Sequence, residues 1–215
     1  MKLFEHKNLR GEPLEDRTYQ SNISSSCLNQ STLVILPTGM GKTVIALRVI
    51  VERLDIGQIL LMAPTKPLAQ QHSDFLAKHV SCEVKLFTGA IPPSDREPLW
   101  KSSKIIVSTP QVVSKDIENK RISLDNFSLV IFDEAHRAVG NYAYVSIGNH
   151  YLSAGKDHLA LGMTASPGSS KSEIIRLCRD LGISSVEKRD ETDPDVVSYI
   201  QPIKTSWIRV SMPDS

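Results

Sequence analysis

The apolar run Leu33-Val34-Ile35-Leu36 passes straight into Pro37-Thr38-Gly39-Met40-Gly41-Lys42-Thr43, and a second apolar run, Val44-Ile45-Ala46-Leu47, follows at once. Strand, glycine loop and helix in that order constrain the chain more than any other feature. The glycines let successive backbone N–H groups converge on an anion, and the helix start adds about half a positive charge at the same point. Lys42 can then reach the β- and γ-phosphates of a nucleotide, and the Thr43 hydroxyl can ligate Mg²⁺. Leu36 stands where the general phosphate-loop pattern has glycine, so the match is to the tighter form that begins at Pro37.

Further short apolar runs recur at 59–63, 84–87, 105–107, 129–132 and 159–163. Runs this apolar suit strands buried on both faces. Between them the spacing predicts helices over 42–54, 67–79, 94–100, 111–118 and 143–153, and a last one over 172–181 closed by Gly182. Strand alternating with helix implies a parallel sheet covered on both sides, an α/β/α sandwich. We place a polar flanking segment at 1–20, the main domain at 21–185, and an exit segment at 186–215. The exit segment has a turn at Asp193-Pro194-Asp195 and a strand-like run from Ile203 to Val210.

At 215 residues, 40% hydrophobic and 23% charged, the composition is that of an ordinary globular domain, and no segment has the roughly 18 apolar residues of a membrane span. With no membrane segment and no secretory pattern at the N-terminus, a cytoplasmic protein is expected. Cys27, Cys82 and Cys178 lie far apart without metal-binding spacing, and are expected to be reduced and structural. A net charge of +1 leaves any nucleic-acid contact to local basic groups and backbone amides.

The second chemical motif ends a buried run: Leu129-Val130-Ile131-Phe132 leads into Asp133-Glu134-Ala135-His136. Two carboxylates at the carboxyl end of such a strand lie where open α/β sheets bind ligands. Asp133 is expected to hold Mg²⁺ through its water shell, and Glu134 to polarise the water that attacks the γ-phosphate. Acidic groups facing a triphosphate need a metal between them, so Mg²⁺ is implied by charge as well.

With both motifs in place the chain resembles the superfamily-two helicases of the DEAH type, and within them the archaeal Hef helicase-nucleases and the Fanconi-anaemia M-type translocases. The resemblance rests on 37–43, on Ala63-Pro64-Thr65-Lys66-Pro67-Leu68, on Phe87-Thr88-Gly89, on Ser108-Thr109-Pro110-Gln111, on the run from Asp133 to Tyr144, and on 164–168. It implies a RecA-like ATP-binding lobe with ATP and Mg²⁺ as cofactors. Arg17-Thr18-Tyr19-Gln20 resembles the family's adenine-recognition element, so Arg17 and Gln20 join Pro37, Thr38, Gly39, Met40, Gly41, Lys42 and Thr43 as ATP-binding candidates. Gln20 would read the adenine edge.

By the same resemblance, Thr65, Lys66, Pro67, Thr88, Gly89, Thr109, Pro110 and Gln111 form half of a groove for one nucleic-acid strand. Small hydroxyls and free amides at helix starts bind phosphates well and read bases poorly. Thr164, Ala165 and Ser166 would couple the nucleotide to that strand, through a hydroxyl bridge to Asp133 or His136. His136 is placed with Lys42, Asp133 and Glu134 in the catalytic set. The implied partners are single-stranded or forked DNA, favoured over RNA by the run from Arg137 to Tyr144, and a second RecA-like lobe from a longer parent. Three readings compete: an RNA-directed relative, a nucleotide-dependent binding module without turnover, and a small-molecule kinase. The last is disfavoured because the chain offers hydroxyl-rich strand ends in place of an acceptor pocket.

Overall fold

The computed structural model describes residues 2–153, 158–166, 168 and 170–199. The strand-like run from Ile203 to Val210 lies outside them. In chain order the elements are β1 (Leu3–Phe4), β2 (Leu14–Glu15), α1 (Thr18–Asn29), β3 (Thr32–Ile35), α2 (Lys42–Arg53), β4 (Gln58–Met62), α3 (Lys66–His79), β5 (Val84–Phe87), α4 (Pro93–Ser102), β6 (Ile105–Ser108), α5 (Pro110–Glu118), β7 (Phe127–Asp133), α6 (Ala143–Leu152), β8 (Leu159–Thr164), α7 (Lys171–Leu181) and β9 (Ser185–Lys188). Two short 3-10 turns, Ala135–Arg137 and Val197–Tyr199, complete the set.

Strands β3 to β9 form one sheet in the order β5-β6-β4-β7-β8-β3-β9, parallel at every pairing. Consecutive strand residues point to opposite faces, and the core divides accordingly. Val34, Leu36, Ile59, Leu61, Ile105, Val107, Leu129, Ile131, Leu161 and Met163 pack with α1, α2 and α3 on one side. Leu33, Ile35, Leu60, Met62, Ile106, Val130, Phe132 and Ala160 pack with α4 to α7 on the other. This is the expected three-layer sandwich, and it explains why the strands read as unbroken apolar runs rather than as alternation.

The sequence reading did not mark α1, β9 or the small β1–β2 pair. In α1 the buried positions Tyr19, Gln20, Ile23, Ser24 and Cys27 keep helical spacing, but several are polar, so the apolar period is diluted. At the other end α7 has the predicted stop, with Gly182 at φ 69°, and a start set by a Ser170–Glu173 capping box. All three cysteines are free, with Cys27 buried. Among the described residues no helix is long and apolar enough to cross a membrane.

Candidate nucleotide site

Because every strand of the main sheet runs the same way, all its carboxyl ends meet one edge. The phosphate loop leaves β3, the DEAH segment leaves β7, and β8 lies between them, with Ile35 opposite Thr164 and Asp133 opposite Met163. The loop turns on left-handed backbone at Gly39 (φ 85°) and Gly41 (φ 75°), and α2 starts at the next residue, Lys42. The Lys42 ammonium donates to the carbonyls of Leu36 (2.9 Å) and Pro37 (3.3 Å) at the base of its own loop. Burial pulls its pKa down from the ordinary lysine value, and Glu134 and Asp133 work against that shift. A half-buried cation held by carbonyls alone suits a phosphate that can take their place.

At the end of β7, Asp133 is buried and Glu134 is half-exposed. Glu134 has φ 51° and ψ 48°, a left-handed conformation costly for a residue with a Cβ. That kink turns the chain sharply into the 3-10 turn at Ala135–Arg137. His136 Nδ1 then lies 2.9 Å from the Thr164 hydroxyl and 3.3 Å from a Glu134 carboxylate oxygen. Thr164 Oγ1 also accepts from the Ser166 N–H at 3.1 Å. The buried Tyr144 hydroxyl sits 2.7 Å from the Asp133 carbonyl and 3.0 Å from the Met62 carbonyl, tying the ends of β7 and β4 together. Burial pushes its pKa well above the ordinary tyrosine value, so it stays a neutral hydroxyl.

The loop and the two carboxylates face one cleft of about 410 Å³, whose opposite wall is Leu68, Gln71, His72 and Phe75 of α3. Thr43 and Asp133 both line it, and among the described residues no three or more His, Cys, Asp or Glu are grouped so that they alone could hold a metal ion. The arrangement fits Mg²⁺, which takes one or two protein oxygens and completes its shell with water and substrate phosphate. It does not fit a metal that needs an all-protein cage.

At the far side of the loop Gln20 is 2% exposed, with its amide nitrogen 3.3 Å from Tyr19 Oη and 3.5 Å from the Met40 carbonyl. Tyr19 donates to that same carbonyl at 2.8 Å. Gln20 is thus packed on the phosphate loop itself. Arg17 pairs with Glu15 at 2.9 Å and lies over the ring of Tyr199, whose hydroxyl is 3.3 Å from the Thr18 nitrogen.

The profile of the DEAD/DEAH box helicases matches residues 17–174, most of the chain, and both motifs lie within the match. The chain belongs to the DEAD/DEAH box helicase family. Among curated relatives it is 40% identical over 216 residues to a Methanocaldococcus jannaschii protein, MJ1505, provisionally named an ATP-dependent RNA helicase, covering 98% of this chain and 27% of that one. It is 35% identical over 206 residues to Drosophila melanogaster Fancm, named a DEAD-box ATP-dependent DNA helicase, covering 91% of this chain and 14% of the relative. The Pyrococcus furiosus Hef helicase domain superposes with a TM-score of 0.86 at 43% identity, over 92% of this chain and 43% of that one. That likeness makes the fold RecA-like. The chain thus spans about a quarter or less of these curated relatives.

The strand order also brings together the segments expected to meet a nucleic-acid strand. β4, β6 and β5 are neighbours, so 65–67, 109–111 and 88–89 follow one another along the same edge. Thr65, Lys66, Pro67, Gly89 and Gln111 are exposed there, and Thr109 is half-buried. Thr88 and Pro110 are buried, and the Thr88 hydroxyl accepts from the Ala90 N–H at 3.4 Å. Thr65 accepts from the Leu68 N–H at a long 3.5 Å, so it caps α3 weakly. Thr109 makes no side-chain cap on α5.

Sequence reasoning missed His72, Tyr144 and Tyr199. For His72 a signal existed: it sits between Leu68 and Leu76 at four-residue spacing, a polar group in the inward stripe of α3.

Proposed function

We propose that this chain is the ATP-binding lobe of an ATP-dependent DNA helicase or translocase that acts on branched or forked DNA in the cytoplasm, with Mg²⁺ as the metal and hydrolysis completed by a second RecA-like lobe. The observation that carries the reading is the single cleft in which Lys42 and Thr43 from β3–α2 face Asp133 and Glu134 from β7. Lys42 would leave the Leu36 and Pro37 carbonyls for phosphate oxygens. Thr43 and Asp133 would hold Mg²⁺, which offsets phosphate charge when bound. Glu134 would orient and deprotonate the attacking water. Arg17 and Gln20 would define the base end, and the exposed hydroxyls and amides at 65–67, 89 and 109–111 would carry the strand by its phosphates. The segment from residue 186 onward would lead toward the second lobe, which supplies charge across the nucleotide worth roughly 10³–10⁵ in rate in related phosphoryl transfers.

DNA is favoured by the resemblance to Hef and by the name of the Fancm relative. The RNA reading is favoured by the name of the M. jannaschii relative. Mg·ATP hydrolysis by this chain and by a longer form carrying a second lobe, each with single-stranded DNA, forked DNA or RNA, decides between them. Turnover stimulated by forked DNA in the longer form alone, lost in Glu134→Gln, is expected. Stimulation by RNA alone makes the protein RNA-directed. Nucleic-acid binding without turnover in either form withdraws the catalytic roles of Glu134 and Lys42.

A further inference from the structure

His72 projects from α3 across the cleft, and its Nε2 stands 2.8 Å from Asp133 Oδ2, with both side chains about nine-tenths buried. A carboxylate accepts, so the ring is assigned its proton on Nε2. Among the described residues no other side chain hydrogen-bonds the Asp133 carboxylate, and the Lys42 ammonium is occupied by two backbone carbonyls. Nδ1 of His72 is buried without a partner. A histidine serving only to fill this stripe would be replaced at little cost by leucine, whereas an imidazole with one orphaned nitrogen carries a desolvation cost. Its one compensating hydrogen bond goes to Asp133.

We propose that His72 is a positioning residue for the Mg²⁺–nucleotide site: its Nε2–H holds the Asp133 carboxylate in its ligating orientation and fastens it to α3. The inference rests on the nucleotide reading given above. Carboxylates that ligate metals are themselves held by hydrogen bonds, and removing such a partner commonly costs about 10–100-fold in metal affinity. The helix that supplies this hydrogen bond is the one whose first turn carries Thr65, Lys66 and Pro67. One rigid element therefore joins the metal ligand to the edge assigned to the nucleic-acid strand.

The test is a titration of the full chain with a fluorescent ATP analogue, in EDTA and across a Mg²⁺ series. His72→Leu fills the space without a donor, and His72→Gln returns an N–H near the position of Nε2. In His72→Leu the Mg²⁺ concentration that half-saturates nucleotide binding should rise about tenfold or more, while affinity in EDTA stays within about twofold of the unsubstituted chain. His72→Gln should recover most of the loss. A purely structural role would lower the melting temperature and weaken binding equally with and without Mg²⁺, and that result overturns the proposal. So does a His72→Leu protein with unchanged Mg²⁺ dependence, or a His72→Gln protein as impaired as His72→Leu. If the unsubstituted chain binds no nucleotide under any condition, the nucleotide site itself falls and this inference with it.

Discussion

Nδ1 of His136 is 2.9 Å from the hydroxyl of Thr164, so the segment after β7 and the end of β8 are joined by one side-chain hydrogen bond beside Glu134. Thr164 is fully buried, and valine would fill the same space without the hydroxyl. Thr164→Val should leave nucleotide affinity within about twofold and slow nucleic-acid-stimulated turnover of the two-lobe protein by roughly tenfold, the equivalent of about 1.4 kcal/mol in the barrier. Steady-state kinetics with a parallel binding titration checks it. Equal losses in binding and turnover would point to damage of the phosphate loop instead.

Lys42→Ala should weaken nucleotide binding by about tenfold or more, since on the proposed nucleotide reading it would delete a charge-assisted contact to phosphate. The fold should persist, because among the described residues the ammonium bonds only the Leu36 and Pro37 carbonyls at the base of its own loop. Burial disfavours the charged form, so as pH rises Lys42 discharges below the ordinary lysine value of 10.5, and nucleotide affinity should fall over that same alkaline range. The Ala variant should lack this alkaline limb. Binding titrations between neutral pH and pH 10, with circular dichroism as the fold control, test both statements.

The two loop glycines should respond differently to alanine. Both have positive φ, so each substitution should cost about 1 kcal/mol in backbone strain. A Cβ at Gly39 meets nothing within 4 Å, whereas one at Gly41 would stand 2.4 Å from the Gln20 amide nitrogen. Gln20 is buried, so it has little room to move. Gly41→Ala should therefore unfold at lower urea than Gly39→Ala, and equal midpoints would contradict the packing of Gln20 on the loop.

Asp16 predicts an acid-labile component of stability. Its pKa is drawn down to about 2, first by the Ser21 hydroxyl at 2.6 Å, then by Lys2 at 2.9 Å and by Arg48, while burial opposes the shift. A depressed carboxyl stabilises the fold fully above its unfolded value near 4, and the contribution drains away as pH falls toward 2. Denaturation midpoints measured from pH 5 to pH 2 should drop less steeply in Asp16→Asn than in the unsubstituted chain.

The readable parts of the molecule were those in which the chemistry needs adjacent residues. A phosphate cradle must be built from consecutive backbone amides, so 37–43 announces itself, and the DEAH carboxylates follow a strand apolar on both faces. The unreadable parts depend on contacts made across the fold. His72 and Asp133 are 61 positions apart, and nothing local joins them. Tyr144 could be named only as part of a run, because its partners Met62 and Asp133 lie on two different strands. α1 is hard to read because Gln20 and Ser24 occupy part of its inward face, and β9, Ser-Val-Glu-Lys, is polar at three of its four residues, as an edge strand can be.

The uniform direction of the main sheet has one more effect. With every carboxyl end on the edge that carries the cleft, the described returns from helix to strand at 30–31, 54–57, 80–83, 103–104, 119–126 and 182–184 all fall on the opposite edge. The domain therefore has a back side whose exposed positions, such as Gln30, Ile56 and Lys120, can change or carry a label on the edge opposite the cleft. Those positions are the natural attachment points for probes, and the places where sequence change leaves the nucleotide cleft alone.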